Sequence, residues 1–135
     1  NYSSPTQIGN LTNWKQVSVA SIGTQMTAAI KTDGTLWTCG YNTYGQLGLN
    51  NTSSYSAPVQ VGTGTNWSLV SGGGYHTLAL DTSGKLWAWG YNASGQLGNS
   101  TITNYSSPIQ IGALTNWKQV ACGYKFTISI SDGYI

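Results

Sequence analysis

What this chain has least of is charge. Arginine and glutamate are absent, five lysines and three aspartates are all it carries, and the formal net charge is +2 over 135 residues. Phosphate backbones are held by several cations acting together, and Lys15, Lys31, Lys85, Lys118 and Lys125 are scattered. Nucleic acid is therefore not an expected partner. Histidine occurs once, at position 76, where the other copies have Met26 and Phe126, so no Ser-His-Asp triad is expected, and one histidine with two distant cysteines is too few ligands for zinc. Two cysteines, Cys39 and Cys122, cannot staple a disulfide scaffold and read as unpaired packing residues. No apolar run approaches the roughly 18–20 residues of a membrane helix, and the first residues lack the basic start and apolar core of a signal peptide. Membrane insertion, a metal and a cofactor are all unexpected. Because the chain begins inside a repeat, the missing leader does not exclude secretion.

What is present is repetition. The run LWTCGYNTYGQLG at 36–48 returns as LWAWGYNASGQLG at 86–98. NYSSPTQIGNLTNWKQV at 1–17 returns almost unchanged at 104–120, with a looser copy, SYSAPVQVGTGTNWSLV, at 54–70. Pro5, Pro58 and Pro108 mark the beat, as do Trp14, Trp67 and Trp117. Repeats over approximately 1–53, 54–103 and 104–135 follow, the last incomplete, giving about 2.6 copies of a ~50-residue unit. The first copy carries three extra residues before Met26, so length varies in that loop.

Each repeat holds four strand signals and no helical periodicity. In the middle copy these are the proline-led run 58–62, then 67–70, then HTLALD at 76–81, and finally 85–89. Proline suits a strand start or an edge. Asp33-Gly34, the turn from Asp81 to Gly84, and Asp132-Gly133 read as hairpins, since glycine accepts the positive φ such turns need. Leu47 and Leu97, each between glycines, read as apolar pins of a tight loop. Four short strands per repeat point to an all-β fold whose unit is a propeller blade.

The ordered series W-x-x-V, G-x-H-T-L-A-L, D-x-x-G, L-W-x-W-G-Y-N, x-x-G-Q-L-G and P-x-Q-I-G resembles the regulator of chromosome condensation repeat over essentially the whole chain. The resemblance implies a closed β-propeller, usually of seven four-stranded blades, acting through its loops and flat faces. Members of that family include exchange factors for a small GTPase that dock on chromatin, secreted β-lactamase inhibitors, and bacterial or phage surface and virion proteins. The bacterial or phage type is the one expected here, because arginine-rich chromatin loops and an acidic exchange wedge are missing. A 2.6-repeat segment leaves two apolar sheet faces uncovered. It is expected either to belong to a longer propeller or to complete its ring with other chains.

Candidate residues divide accordingly. Trp14, Trp37, Trp67, Trp87 and Trp117 hold repeat positions and read as core between blades. His76 has Met26 and Phe126 as counterparts, so its position calls for packing. Asp33, Asp81 and Asp132 sit in separate hairpins and form no carboxylate pair of the kind glycoside hydrolysis uses. Asn-x-Ser/Thr sequons, as at Asn66 and Asn104, arise from composition. Tyr44, Tyr75 and Tyr124 lie in loops and are not shared between copies, which makes them binding candidates. Tyr41 and Tyr91 recur with the motif and read as plugs as well as candidates. The expected function is a non-enzymatic scaffold and binding module on a virion or bacterial cell surface, extracellular, with a protein or a surface glycan as partner. The alternative is a secreted inhibitor that covers an enzyme with one propeller face.

Overall fold

The computed structural model describes residues 4, 5, 7, 10–20 and 25–133. Among them are ten strands and no helix: β1 (Trp14–Val19), β2 (Met26–Lys31), β3 (Leu36–Gly40), β4 (Tyr55–Gln60), β5 (Trp67–Gly72), β6 (His76–Asp81), β7 (Leu86–Gly90), β8 (Tyr105–Gln110), β9 (Trp117–Cys122) and β10 (Thr127–Ser131). They form two four-stranded antiparallel sheets, β1-β2-β3-β4 and β5-β6-β7-β8, and a two-stranded pair, β9-β10. The architecture is a partial propeller: two complete blades and the first half of a third.

The blades are out of phase with the sequence repeats. The proline-led run, first in each repeat as read from the sequence, is the fourth strand of the blade that begins in the preceding repeat, so Pro58 lies in β4 and Pro108 in β8. The reason is pairing. A proline offers no N–H to a ladder and belongs at an edge, and both strands pair on one side only. The run 86–90 is accordingly third in its blade, not fourth. The copy of this strand that would begin before Pro5 falls largely outside the described residues.

Burial shows that the blades stack face to face. β2 alternates buried and half-buried positions, as a sheet covered on one side does, whereas every residue of β6 is buried. β6 and β5 have the first blade on one face and β9 on the other. At the two ends the apolar face continues without cover: Val17 and Val19 at one, Phe126, Ile128 and Ile130 at the other, are each more than half exposed. A cavity of about 720 Å³ on the first blade, lined by Trp14, Val17, Ala29 and Trp37, marks the same open face.

Polar contacts lock the blades in register. The Gln46 backbone carbonyl accepts the Thr77 hydroxyl at 2.8 Å and the Trp89 indole N–H at 2.9 Å, and the Gln96 carbonyl accepts the Thr127 hydroxyl at 2.7 Å. The Gln16 amide clamps Val70, donating to its carbonyl at 3.0 Å and accepting from its N–H at 3.2 Å. Ser18 and Ser71 each accept a backbone N–H of the next blade, from Gly72 and Cys122, at 3.0 Å. The loop that presents Gln46 is shaped by Asn42, whose side chain accepts Leu47 N–H and donates to the carbonyls of Asn51 and Ser53. Asn92 does the same for Leu97 and Thr101. Leu47 and Leu97 are buried beneath these loops.

The repeat tryptophans divide: Trp67 is buried, and Trp87 and Trp117 pack against the core, whereas Trp14 and Trp37 do not lie between blades. Only Trp67 among the five repeat-position indoles is classed as buried; Trp14, Trp37, Trp87 and Trp117 are half-buried, and the fully enclosed indole is Trp89. Trp14 and Trp37 sit at the uncovered face, where the Lys31 ammonium lies 5.1 and 3.8 Å from their ring centroids. Trp37 and Trp87 are held by polar partners near the hairpins: Trp37 donates to Thr35, which donates to Asp33, and Trp87 donates directly to Asp81.

Thr77→Val keeps the side-chain shape but removes the donor to Gln46. It is expected to destabilise the fold by about 1 kcal/mol, read as a lower urea midpoint at unchanged slope. An unchanged midpoint would show that the inter-blade hydroxyl carries no weight.

Candidate functional site: a tyrosine face shared by three repeats

The tyrosine candidates are delivered by different segments but to one end of the sheets. Tyr41 and Tyr91 follow the last residues of β3 and β7, Tyr44 lies in the β3–β4 connection, Tyr75 between β5 and β6, and Tyr124 between β9 and β10. The strand exits that set up this end rest on Gly40 and Gly90, with φ of 109° and 101°. A side chain there would collide with the backbone of Gln25 or of Tyr75, so only glycine fits.

Four of the rings touch. Tyr44 packs on Tyr91 at 4.7 Å between centroids and edge-on to Tyr75 at 5.2 Å; Tyr75 packs on Tyr91 at 6.1 Å and on Tyr124 at 5.6 Å. Such tilted and edge-to-face pairs follow from the ring quadrupole and are worth about 0.5–1.5 kcal/mol each beyond burial. The Tyr75 and Tyr124 hydroxyls share a hydrogen bond at 3.4 Å. That bond, then the charge Tyr124 would carry, raises the Tyr75 pKa, so the phenol stays protonated. Tyr41 makes no ring contact with the others among the described residues, but its phenol adds to the same rise. Tyr41 and Tyr124 are the most exposed of the five, and the Lys125 ammonium stands 5.7 Å from the Tyr124 ring.

The aspartates lie at the other end. Asp33 accepts the hydroxyl and N–H of Thr35, which hold its carboxyl below the usual range. Burial pushes the Asp81 carboxyl up, but donors from Ser83, Trp87 and Lys85 outweigh it and the net shift is downward. Asp132 pairs with Lys118 at 3.2 Å. The three are not equivalent within their hairpins: Gly34 and Gly84 carry the positive φ of the turn, 80° and 77°, whereas Gly133 does not. The residues that follow Gly133, with which the third turn would be completed, lie outside the described residues. With all carboxylates at that end, the tyrosine face has Lys125 as its charge.

Behind the tyrosines sits His76, fully buried at the seam between the second and third blades. Its Nε2 is 3.1 Å from the Thr127 hydroxyl, whose proton is already given to the Gln96 carbonyl, so Nε2 carries a proton and donates. Burial lowers its pKa to about 4, against a smaller upward pull from the Phe126 backbone. Cys122, also on this seam, donates its thiol to the Ser71 carbonyl at 3.2 Å, and burial pushes its pKa up to about 12. Cys39 and Cys122 are both free.

Sequence reasoning missed Gly74. Its position faces Tyr124, and a Cβ there would lie 2.5 Å from the ring and 2.6 Å from the Tyr124 carbonyl oxygen. Gly74 is the seat on which the third repeat's tyrosine lies against the second repeat. It resembled a loop glycine because its counterpart in the third copy is Tyr124 itself. The buried Asn42 and Asn92 were legible as part of the recurring Gly-Tyr-Asn, but only as the end of a strand.

Comparison with known proteins follows from this geometry. The regulator of chromosome condensation (RCC1) repeat matches residues 33–80 and 83–130, and a second description of the same repeat matches 15–46 and 67–96. No curated protein matches. Among solved structures, human WBSCR16 superposes with a TM-score of 0.76 at 24% identity over 90% of this chain. Prp20p from Saccharomyces cerevisiae, described with its binding to Gsp1p and histones, gives 0.76 at 17% over 93%, and yeast RCC1 (Prp20) bound to Kap60 gives 0.78 at 17% over 93%. The chain spans about a third of each, 32, 33 and 32% respectively.

Two outcomes test the seam. The folded pKa of His76 lies below its unfolded value near 6.5, so stability is complete above pH 6.5. It falls as pH drops toward 4, by about 3 kcal/mol in all. His76→Met, which copies the first repeat, is expected to flatten the pH dependence of the urea midpoint in that window; an unchanged dependence would relocate the titrating group. Gly74→Ala is expected to push the Tyr124 ring and backbone off the second repeat, seen as loss of the Tyr75–Tyr124 ring-to-ring nuclear Overhauser effect together with a lower melting temperature. Persistence of that effect would contradict the seat.

Proposed function

The chain belongs to the regulator of chromosome condensation (RCC1) repeat family, and from that membership and its tyrosine face we propose a non-enzymatic scaffold that binds a partner through Tyr41, Tyr44, Tyr75, Tyr91 and Tyr124. The observation that carries this reading is the convergence of aromatics from three repeats at one end of the blades, four of them in mutual contact. Tyr44, Tyr75 and Tyr124 are not shared between the repeats, so the repeat fold itself does not require them. Placed together and partly exposed, they form the amphipathic contact surface favoured at interfaces.

The setting we propose is a structural or adhesive component of a virion or bacterial cell surface. Low charge, near-identical repeats and an Asn, Ser, Thr and Gly surface support it. These repeats are then a segment of a closed ring of about seven blades, in keeping with a chain that spans about a third of its structural neighbours. Among the described residues no helix is long and apolar enough to cross a membrane. Gsp1p and histones, named as what yeast Prp20p binds, are not part of the proposal, because the chain has no arginine. An enzyme found on the tyrosine face would make the chain a protein inhibitor instead.

Panning peptide-display and glycan libraries on the protein, and on a Tyr41→Ser/Tyr124→Ser variant, tests the reading. Both residues are exposed, so the variant is expected to fold. Enriched ligands are expected to lose at least about tenfold in affinity on the variant. Ligands that bind both equally would place the binding surface elsewhere.

A further inference from the structure

The chemistry of the tyrosine face narrows the ligand, on the reading that this face is the binding surface. The first feature is spacing. The steps from Tyr44 to Tyr75 and from Tyr75 to Tyr124 are 5.2 and 5.6 Å, which puts alternate rings no more than about 11 Å apart. A polyproline II helix brings a residue to the same side every three positions, or ~9 Å. Ring planes inclined by 55 to 90° to one another present faces and edges in turn.

The second feature is polarity. The side-chain polar groups of the cluster are phenols, and the Tyr75 hydroxyl, its pKa raised, remains a donor through neutral pH. A proline-rich segment offers backbone carbonyls that no intramolecular N–H satisfies, together with flat apolar pyrrolidine rings. It asks for donors and aromatic surface. A neutral sugar, by contrast, presents donors as well as acceptors, and the aspartate carboxylates, the strongest acceptors for them, are at the opposite hairpins. The third feature is charge. Lys125 stands at the Tyr124 end of the strip with no ion-pair partner among the described residues, while the Lys118–Asp132 ion pair lies elsewhere.

We propose that the strip running through Tyr44, Tyr75 and Tyr124 binds a proline-rich, extended segment of a protein partner, with an acidic residue of that segment set against Lys125. The rings receive the pyrrolidines, the phenols donate to the segment's carbonyls, and the lysine fixes its direction. Pre-formed polyproline structure loses little entropy on binding, which suits a shallow site made of few side chains.

The test is a titration of the protein with an acetylated, amidated peptide of six prolines followed by two glutamates, monitored by the tyrosine resonances. Parallel titrations use the same peptide ending in two lysines, a glycine-serine peptide with the two glutamates, and cellohexaose. The acidic proline peptide is expected to saturate and the glycine-serine peptide not to. Tyr124→Ala is expected to weaken it about tenfold, Tyr75→Phe about threefold, and Lys125→Ala to erase the preference over the lysine-ended peptide. Failure of the proline peptide to bind overturns the ligand class. If cellohexaose binds instead and Tyr124→Ala abolishes it, the ligand class falls while the tyrosine face stands. If library ligands also ignore the tyrosines, both fall.

Discussion

The backbone carbonyl of Gln46 accepts two hydrogen bonds from the neighbouring blade, the Thr77 hydroxyl and the Trp89 indole, and the same carbonyl at Gln96 accepts Thr127. These contacts fix where one blade sits against the next. Apolar burial supplies most of the adhesion between the sheets, but it is non-directional and would tolerate sliding. A carbonyl inside that apolar seam tolerates far less, because moving off its donors leaves a buried acceptor unpaired, at about 1–3 kcal/mol. The Gln16 clamp on Val70 and the serine hydroxyls of Ser18 and Ser71 repeat the principle along the strands.

The tyrosine face is a consequence of that register. Tyr44 comes from the connection that carries Gln46, and the Tyr44 N–H is itself held by the Gln46 side chain at 2.9 Å. Tyr75 precedes His76 and Thr77 directly. Tyr124 is placed by the strand pair that brings Thr127 to Gln96 and to His76. Each aromatic is thus within a few residues of an inter-blade bond, and rings from separate repeats meet because those bonds set the distance between their backbones.

The sequence made the blade legible because its signals are periodic: alternation within strands, Gly-Tyr-Asn at each strand exit, leucine between glycines in each loop. It misplaced the blade boundary, since a repeat can be cut anywhere, and which edge the proline-led strand joins is decided by pairing across about fifty residues. The tyrosines stand out one by one in the sequence, as loop aromatics of which Tyr44, Tyr75 and Tyr124 are not shared between copies. That Tyr44, Tyr75, Tyr91 and Tyr124 touch depends on the angle between blades, which no spacing along the chain reports. The tryptophans show the opposite error. Recurrence suggested enclosure for all five, yet Trp14 and Trp37 lie on the open face around Lys31, and the enclosed indole, Trp89, stands where the first copy has Cys39. Gly74 was invisible because the group it makes room for is supplied by another repeat.

The account turns on blades held closely enough to bring the tyrosines of three repeats into one surface. The most direct measurement is a nuclear Overhauser spectrum of the protein with ring-labelled tyrosine. Cross-peaks linking Tyr44 to Tyr91 and Tyr75, and Tyr75 to Tyr124, are the predicted result, given centroid separations of 4.7, 5.2 and 5.6 Å. Tyrosine rings that show contacts only within their own repeat would contradict it.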